Sequence, residues 1–164
     1  MLLADALRAL PLLEEYGGPL IDVGSGGGSP GIPLAAALRE REVTLLDAER
    51  RKCEFLRSWT PANAEVVWGR AEEQPIERWG VATAKALARP PVAAELCLPL
   101  VGVGGAAILW LGERADAAPL AAVSERLGGG APELHGGLVV LPKVVPTPPG
   151  FPRRVGVAKK RPLA

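Results

Sequence analysis

The stretch Pro19–Leu34, PLIDVGSGGGSPGIPL, decides the fold. An apolar run, Leu20-Ile21-Asp22-Val23, stops at glycines on alternate positions, Gly24, Gly26 and Gly28. Ser29-Pro30-Gly31 then opens an alanine- and leucine-rich run that ends near Arg39. This order spells a buried strand, a glycine loop and a helix start. Ser29 is expected to cap the helix, with Pro30 at its first position, where a missing N–H costs nothing. The glycines admit positive φ and let a ligand approach bare main chain. A helix start above such a loop adds free N–H groups and a partial positive charge.

The spacing separates two kinds of nucleotide loop. A dinucleotide loop, G-x-G-x-x-G, needs its third glycine where Ser29 stands. The G-x-G-x-G spacing behind the acidic Asp22 is closer to a methyltransferase loop for S-adenosylmethionine. A tight turn with no ligand is the alternative that the loop alone leaves open. Working outward, Val43-Thr44-Leu45-Leu46 is a second strand ending in Asp47, 23 residues past Gly24. An acid at that place in such folds accepts hydrogen bonds from ribose hydroxyls. Asp47 would equally cap the next helix, expected over Ala48–Trp59, and one carboxylate can serve both roles. Arg51 and Lys52 sit near that helix start, where the dipole disfavours cations. An anionic partner explains them, and so would salt bridges to Glu49 or Glu54.

Glu65–Trp68 reads as a third strand closed by Gly69, with Arg70-Ala71-Glu72-Glu73 at its carboxyl end, where open α/β sheets bind ligands. Val81–Ala86 is a fourth strand that carries Lys85 near its end; a buried lysine there needs a partner. A helix from Pro90 through Leu100, a fifth strand over Gly104–Leu111 and a helix over about Asp116–Leu127 follow. His135–Leu141 and Val155–Ala158 read as a closing pair of strands. Leu2–Tyr16 has a helical leucine stripe up to Leu10, broken by Pro11 and Gly17-Gly18-Pro19. Alternating strands and helices imply a mainly parallel, Rossmann-like α/β sheet with helices on both faces.

A length of 164 residues suits one domain, and 48% hydrophobic residues exclude disorder. No apolar run reaches the ~18 residues of a membrane span. The amphipathic start lacks the features of a signal peptide. Cys53 and Cys97 follow no metal spacing and are expected to pack in the core of a cytoplasmic protein. His135 is the only histidine, so no metal site is expected. From Pro142 to Ala164 there are six basic residues and no acid, against 13 basic and 18 acidic in the remainder. That asymmetry reads as a docking surface for phosphates or as a solvated tail.

Three motifs together carry a family resemblance: the loop D-V-G-S-G-G-G-S-P-G-I-P-L, the G-R-A-E-E at Gly69–Glu73, and the tail P-T-P-P-G-F-P-R-R-V-G at Pro146–Gly156. They resemble the RsmG (GidB) family of bacterial 16S ribosomal RNA guanine-N7 methyltransferases, from near Asp5 onward. The resemblance implies a class I methyltransferase with a seven-stranded sheet. It implies S-adenosylmethionine as methyl donor and 16S RNA or the small subunit as partner, with guanine 527 the family's target. A monomer is expected. Gly24, Gly26 and Gly28 would pass close to the methionine part of the donor and Asp47 would take its ribose, with Asp22, Ser25, Pro30 and Ala48 also binding the donor. Ala71 and Glu72 would border the adenine, with Arg70 also binding the donor. Lys85 would touch both donor and RNA as the catalytic residue. Lys143, Arg153, Arg154, Lys159 and Lys160 would hold phosphates, with Arg51 and Lys52 extending that surface.

The chain departs from the family at three places. It begins after the family's N-terminal helical extension, Lys85 replaces an arginine, and Leu111 replaces a lysine. A donor- or RNA-binding relative without turnover, a methyltransferase with another substrate, and a nicotinamide oxidoreductase are the competing readings.

Overall fold

A computed structural model describes residues 2–114 and 116–164. Seven strands form one sheet in the order β3-β2-β1-β4-β5-β7-β6. They are β1 Leu20–Val23, β2 Val43–Asp47, β3 Ala64–Trp68, β4 Trp79–Lys85, β5 Val101–Trp110, β6 Glu133–His135 and β7 Leu138–Pro142. The first five run parallel; β7 is antiparallel to β5, and β6 to β7. Every residue of β1 and β2 is buried, as their unbroken apolar runs require of strands covered on both faces. Leu20, Ile21, Leu45 and Leu46 are at most 1% exposed. Each such side chain contributes about 1.5–3 kcal/mol through burial.

The helices α1 Leu2–Leu7, α2 Leu10–Leu13, α3 Gly31–Ala37 and α4 Arg50–Arg57 precede β3 in the chain. Helices α5 Pro90–Cys97, α6 Leu120–Arg126 and the short α7 Val157–Lys160 come later. Two apolar cores divide them. Leu12 and Leu13 of α2, Leu34 and Ala35 of α3 and Leu56 of α4 pack on one face of the sheet. Ala93, Ala94 and Cys97 of α5, with Leu120 and Val123 of α6, pack on the other. From β1 the chain winds outward to β2 and β3, then returns to place β4 on the opposite side of β1. That reversal opens a crevice at the carboxyl ends of the strands.

Several local expectations are corrected. Helix α3 starts at Gly31, not Pro30, and Ser29 caps nothing: its Oγ has no partner among the described residues. Pro30 instead takes the N-cap position, joined to Ser29 by a cis peptide bond. Gly31 is forced by packing, because a Cβ there would run into Leu45 and come within 2.6 Å of Asp22 Oδ2. The closing strands are β6 and β7, a hairpin turned by Gly136-Gly137. Val157–Lys160 is a helical turn, not a strand. Pro11 sits in the first turn of α2, so the N-terminal leucine stripe is split into two short helices. Helix α4 is shorter than the Ala48–Trp59 expected.

Candidate active site

A cleft of about 610 Å³ opens at the carboxyl ends of β1 to β4. Its floor is Val23 and Gly24 after β1, Leu46 and Ala48 beside β2, and Gly69, Arg70, Ala71 and Glu72 after β3. Leu87, Ala88 and Arg89 after β4, with Val92 and Leu96 of α5, form a second wall. The C-terminal segment supplies the third, through Gly156, Ala158 and Lys159. Mostly apolar walls with a few polar groups are what a nucleoside-sized ligand needs.

The glycine loop is held from both sides by acids. Gly24, Gly26 and Gly28 all have positive φ, of 72°, 53° and 98°, which only glycine adopts without strain. The Gly24 and Ser25 amides donate to Leu46 O at 2.8 and 3.0 Å, stitching the loop to β2. Asp47 Oδ2 accepts from Gly26 N at 2.8 Å, and Oδ1 accepts from Glu49 N at 2.9 Å. Asp47 therefore braces the loop and the chain entering α4 with one carboxylate. Each of its oxygens keeps further acceptor capacity, although the residue is only 5% exposed.

Asp22 lies behind the loop, 1% exposed and outside the cleft lining. Thr83 Oγ1 donates to its Oδ1 at 2.8 Å, and Ser25 Oγ donates to its carbonyl at 3.0 Å. Burial pushes the Asp22 pKa up to about 6, against the pull of Ser25, Thr83 and the Gly31 backbone. Asp22, Ser25, Gly28 and Pro30, expected beside the donor, are buried under the loop and shape it. Gly24, Ala48, Arg70, Ala71 and Glu72 do line the cleft, whereas Gly26 and Asp47 stand just outside its lining and hold the loop together.

Lys85 is a correction. Strand alternation puts it on the same side of β4 as Val81 and Thr83, towards α1. There its Nζ pairs with Asp5 at 2.6 Å, and it is not part of the cleft lining. The ammonium holds the Asp5 carboxyl below its ordinary range, and Trp110 Nε1 donates to Asp5 O at 3.2 Å. Lys85 thus fastens α1 to the strand ends, which supplies the partner that a lysine there needs.

The basic tail is also corrected in part. Lys143 is 1% exposed; its ammonium donates to Leu98 O and Val101 O at 2.9 Å and to Thr147 Oγ1 at 2.7 Å. Burial pulls its pKa down to about 8. Arg153 grips Glu95 of α5 with Nε, at 3.0 and 2.9 Å from the two oxygens, and with its terminal nitrogen. It also donates to Arg161 O at 2.8 Å. Glu95 is only 1% exposed, so a buried carboxylate has claimed Arg153. Arg154, Lys159 and Lys160 are exposed, as are Arg51 and Lys52, and Lys52 pairs with Glu49 at 3.1 Å. The tail is a strap: Arg153 ties it to α5, and Gly156 N donates to Glu72 Oε1 at 3.2 Å across the cleft.

Sequence reasoning missed Leu87–Arg89 and Gly156. The first follow the end of β4, where the carboxyl-end rule already points. The second lies in the R-R-V-G motif, which carries the family resemblance and phosphate-binding charge but gives no sign that its glycine turns into the cleft. Leu111 is half-buried against the α5–α6 core. Among the described residues, no group of three or more His, Cys, Asp and Glu side chains is placed to hold a metal ion. No helix among them is long and apolar enough to cross a membrane.

Solved structures share this architecture. The Aquifex aeolicus tRNA (m1A58) methyltransferase TrmI superposes with a TM-score of 0.66 at 16% identity, over 86% of this chain and 68% of that one. The Thermus thermophilus 16S rRNA N2 G1207 methyltransferase RsmC, in complex with AdoMet and guanosine, gives 0.61 at 16% identity, over 82% and 37%. The fold is that of the class I S-adenosylmethionine-dependent methyltransferases, with the cleft at the sheet's switch point.

Sequence relatives narrow the class. The family model described as GidB, rRNA small subunit methyltransferase G, matches residues 1–124. The ribosomal RNA small subunit methyltransferase G of Synechococcus elongatus is 36% identical over 97% of this chain and 75% of its own length. That of Rubrobacter xylanophilus is 40% identical over 99% and 69%. The chain belongs to the GidB family of small-subunit rRNA methyltransferases.

Proposed function

We propose that this chain acts as a single domain that transfers a methyl group from S-adenosylmethionine to N7 of a guanosine in 16S ribosomal RNA, in the cytoplasm. The observation that carries this reading is the cleft, lined by Gly24 of the glycine loop and by Ala71 after β3, with Asp47 bracing that loop through Gly26 N. The residues present fit the donor: bare main chain at Gly24 for the methionine part, the Asp47 carboxylate bracing that loop from just behind Ala48, and apolar Leu46 and Ala71 around an adenine-sized space.

The donor, when bound, supplies an activated methyl group on a positively charged sulfur. Guanine N7 offers a lone pair and carries no proton, so the protein need remove none. As the new N–C bond forms, the S–C bond breaks with its electron pair on sulfur, and the positive charge passes to the purine. The protein's task is alignment, which can account for about 7–11 kcal/mol of barrier reduction. Asp47 fixes the loop and the sugar. The Gly156–Lys159 turn excludes water from one side. Arg89 at the rim and exposed Arg154, Lys159 and Lys160 hold RNA phosphates, which position without reading sequence.

Labelled-methyl transfer to small subunits and to deproteinised RNA tests the proposal, with digestion to nucleosides. N7-methylguanosine in the digest is the expected product. Another methylated nucleoside, or no label on either substrate, would overturn it. By calorimetry, Asp47→Ala is expected to weaken S-adenosylhomocysteine affinity by about tenfold or more, through a lost charged hydrogen bond of about 1.5–3 kcal/mol. The engagement of Lys85 by Asp5 favours one second reading, a relative that binds the donor without turnover; calorimetric binding with no label would select it.

A further inference from the structure

The chain has few aromatic residues: four Trp, two Phe and one Tyr. Trp79 is buried, and Tyr16, Trp110 and Phe151 are half-buried. The other three stand in solvent, with Phe55 49%, Trp59 65% and Trp68 59% exposed. All three belong to α4, its C-terminal turn, or the adjoining edge strand β3. Leaving large apolar rings in water forgoes their burial free energy, so a cluster of them marks an interaction surface.

The cations of α4 lie among the rings. Arg51, Phe55 and Trp59 are spaced four apart, so they line up along one face of the helix. Cys53 and Leu56 turn the opposite side into the core. The Phe55 and Trp59 ring centroids are 6.4 Å apart and the planes are inclined at 46°. Glu54 is engaged by Arg50 and Glu49 by Lys52, each at 3.1 Å. The acids of this segment are thereby matched, which leaves the charges of Arg51 and Arg57 in excess. Trp68 Nε1 donates to Ala48 O at 3.0 Å, and Ala48 itself lines the cleft. The aromatic face therefore begins at the cleft's rim and runs away from it down α4.

We infer that this face docks an unpaired stretch of RNA, stacking bases on Phe55, Trp59 and Trp68 while Arg51 and Arg57 follow the phosphates. Alternating rings and uncompensated cations are the make-up of a single-strand platform. A self-association patch would instead be depleted of charge at its centre. The inference rests on the rRNA reading above and adds a location for the strand that leads to the target base.

Anisotropy of a fluorescein-labelled unpaired oligoribonucleotide tests it, with a duplex of the same sequence alongside. The parent chain should bind the unpaired form more tightly. Phe55→Ala and Trp59→Ala should each weaken it about tenfold or more, and Trp59→Phe should retain most of it. S-adenosylhomocysteine affinity and Tm should stay at parent values. Unchanged RNA affinity in Phe55→Ala/Trp59→Ala overturns the inference. So does equal binding of duplex and single strand, or an oligomer in the parent that this double variant dissociates. Loss of S-adenosylhomocysteine binding by the parent chain is a separate result: it would strike the methyltransferase proposal and leave the RNA readout intact.

Discussion

Two aspartates flank the glycine loop and do different work. Asp47 is buried beside the cleft and accepts from main chain on both oxygens, whereas Asp22 is sealed behind the loop with a raised pKa. A carboxyl whose folded pKa lies above its unfolded value contributes most when protonated in both states. Its contribution falls as pH rises from about 4 through about 6. Asp22→Asn should remove that slope. Urea unfolding of parent and variant is expected to diverge by up to about 3 kcal/mol between pH 4 and 7, with the variant favoured at the higher pH. Both acids were visible in the sequence, and the position of Asp47 at the end of β2 followed from strand length alone. The separation of their roles was not visible, because it depends on which way a side chain leaves a buried strand. Lys85 shows the same gap: its place at the end of β4 was legible, but its partner Asp5 lies 80 residues away in the chain.

Among the elements, the strap after β7 is the least foreseeable. Its prolines exclude a helix through Phe151, and its motif marked it as important. Its arginines were read for charge alone, so nothing paired Arg153 with Glu95 on α5, 58 residues earlier. Arg153→Ala would leave a buried carboxylate unmatched. A loss of about 2–3 kcal/mol is expected, or roughly 5–10 °C in Tm by thermal scan. Glu95→Gln in the same background should recover much of that. S-adenosylhomocysteine affinity should fall in Arg153→Ala as well, because Gly156 and Lys159 would lose their anchor beside the cleft. The boundaries of β1, β2 and β3 were legible within a residue, since unbroken apolar runs between glycines leave little choice. The turn at Val157 was misread as a strand because Val-Gly-Val-Ala fits either reading until its neighbours are known.

For the whole molecule, the alternation of strands and helices implied the doubly covered sheet, and the acidic body with a basic tail left a phosphate-docking surface and a solvated tail both open. The fold spends two tail cations internally, Lys143 under β5 and Arg153 on α5. RNA affinity should therefore fall with salt through the exposed cations only. Arg154→Ala/Lys160→Ala is expected to flatten the log–log salt dependence by about 1.4, at roughly 0.7 per phosphate contact. Lys143→Met should leave that slope alone. Filter binding across a salt series separates the two. The strap has a temporal consequence too. Chains are polymerised from the amino end, so the residues of every sheet strand are joined before Gly156 and Lys159. The cleft gains its third side only when the strap docks on α5 through Arg153 and Glu95, so closure of that wall is the step on which donor capture waits.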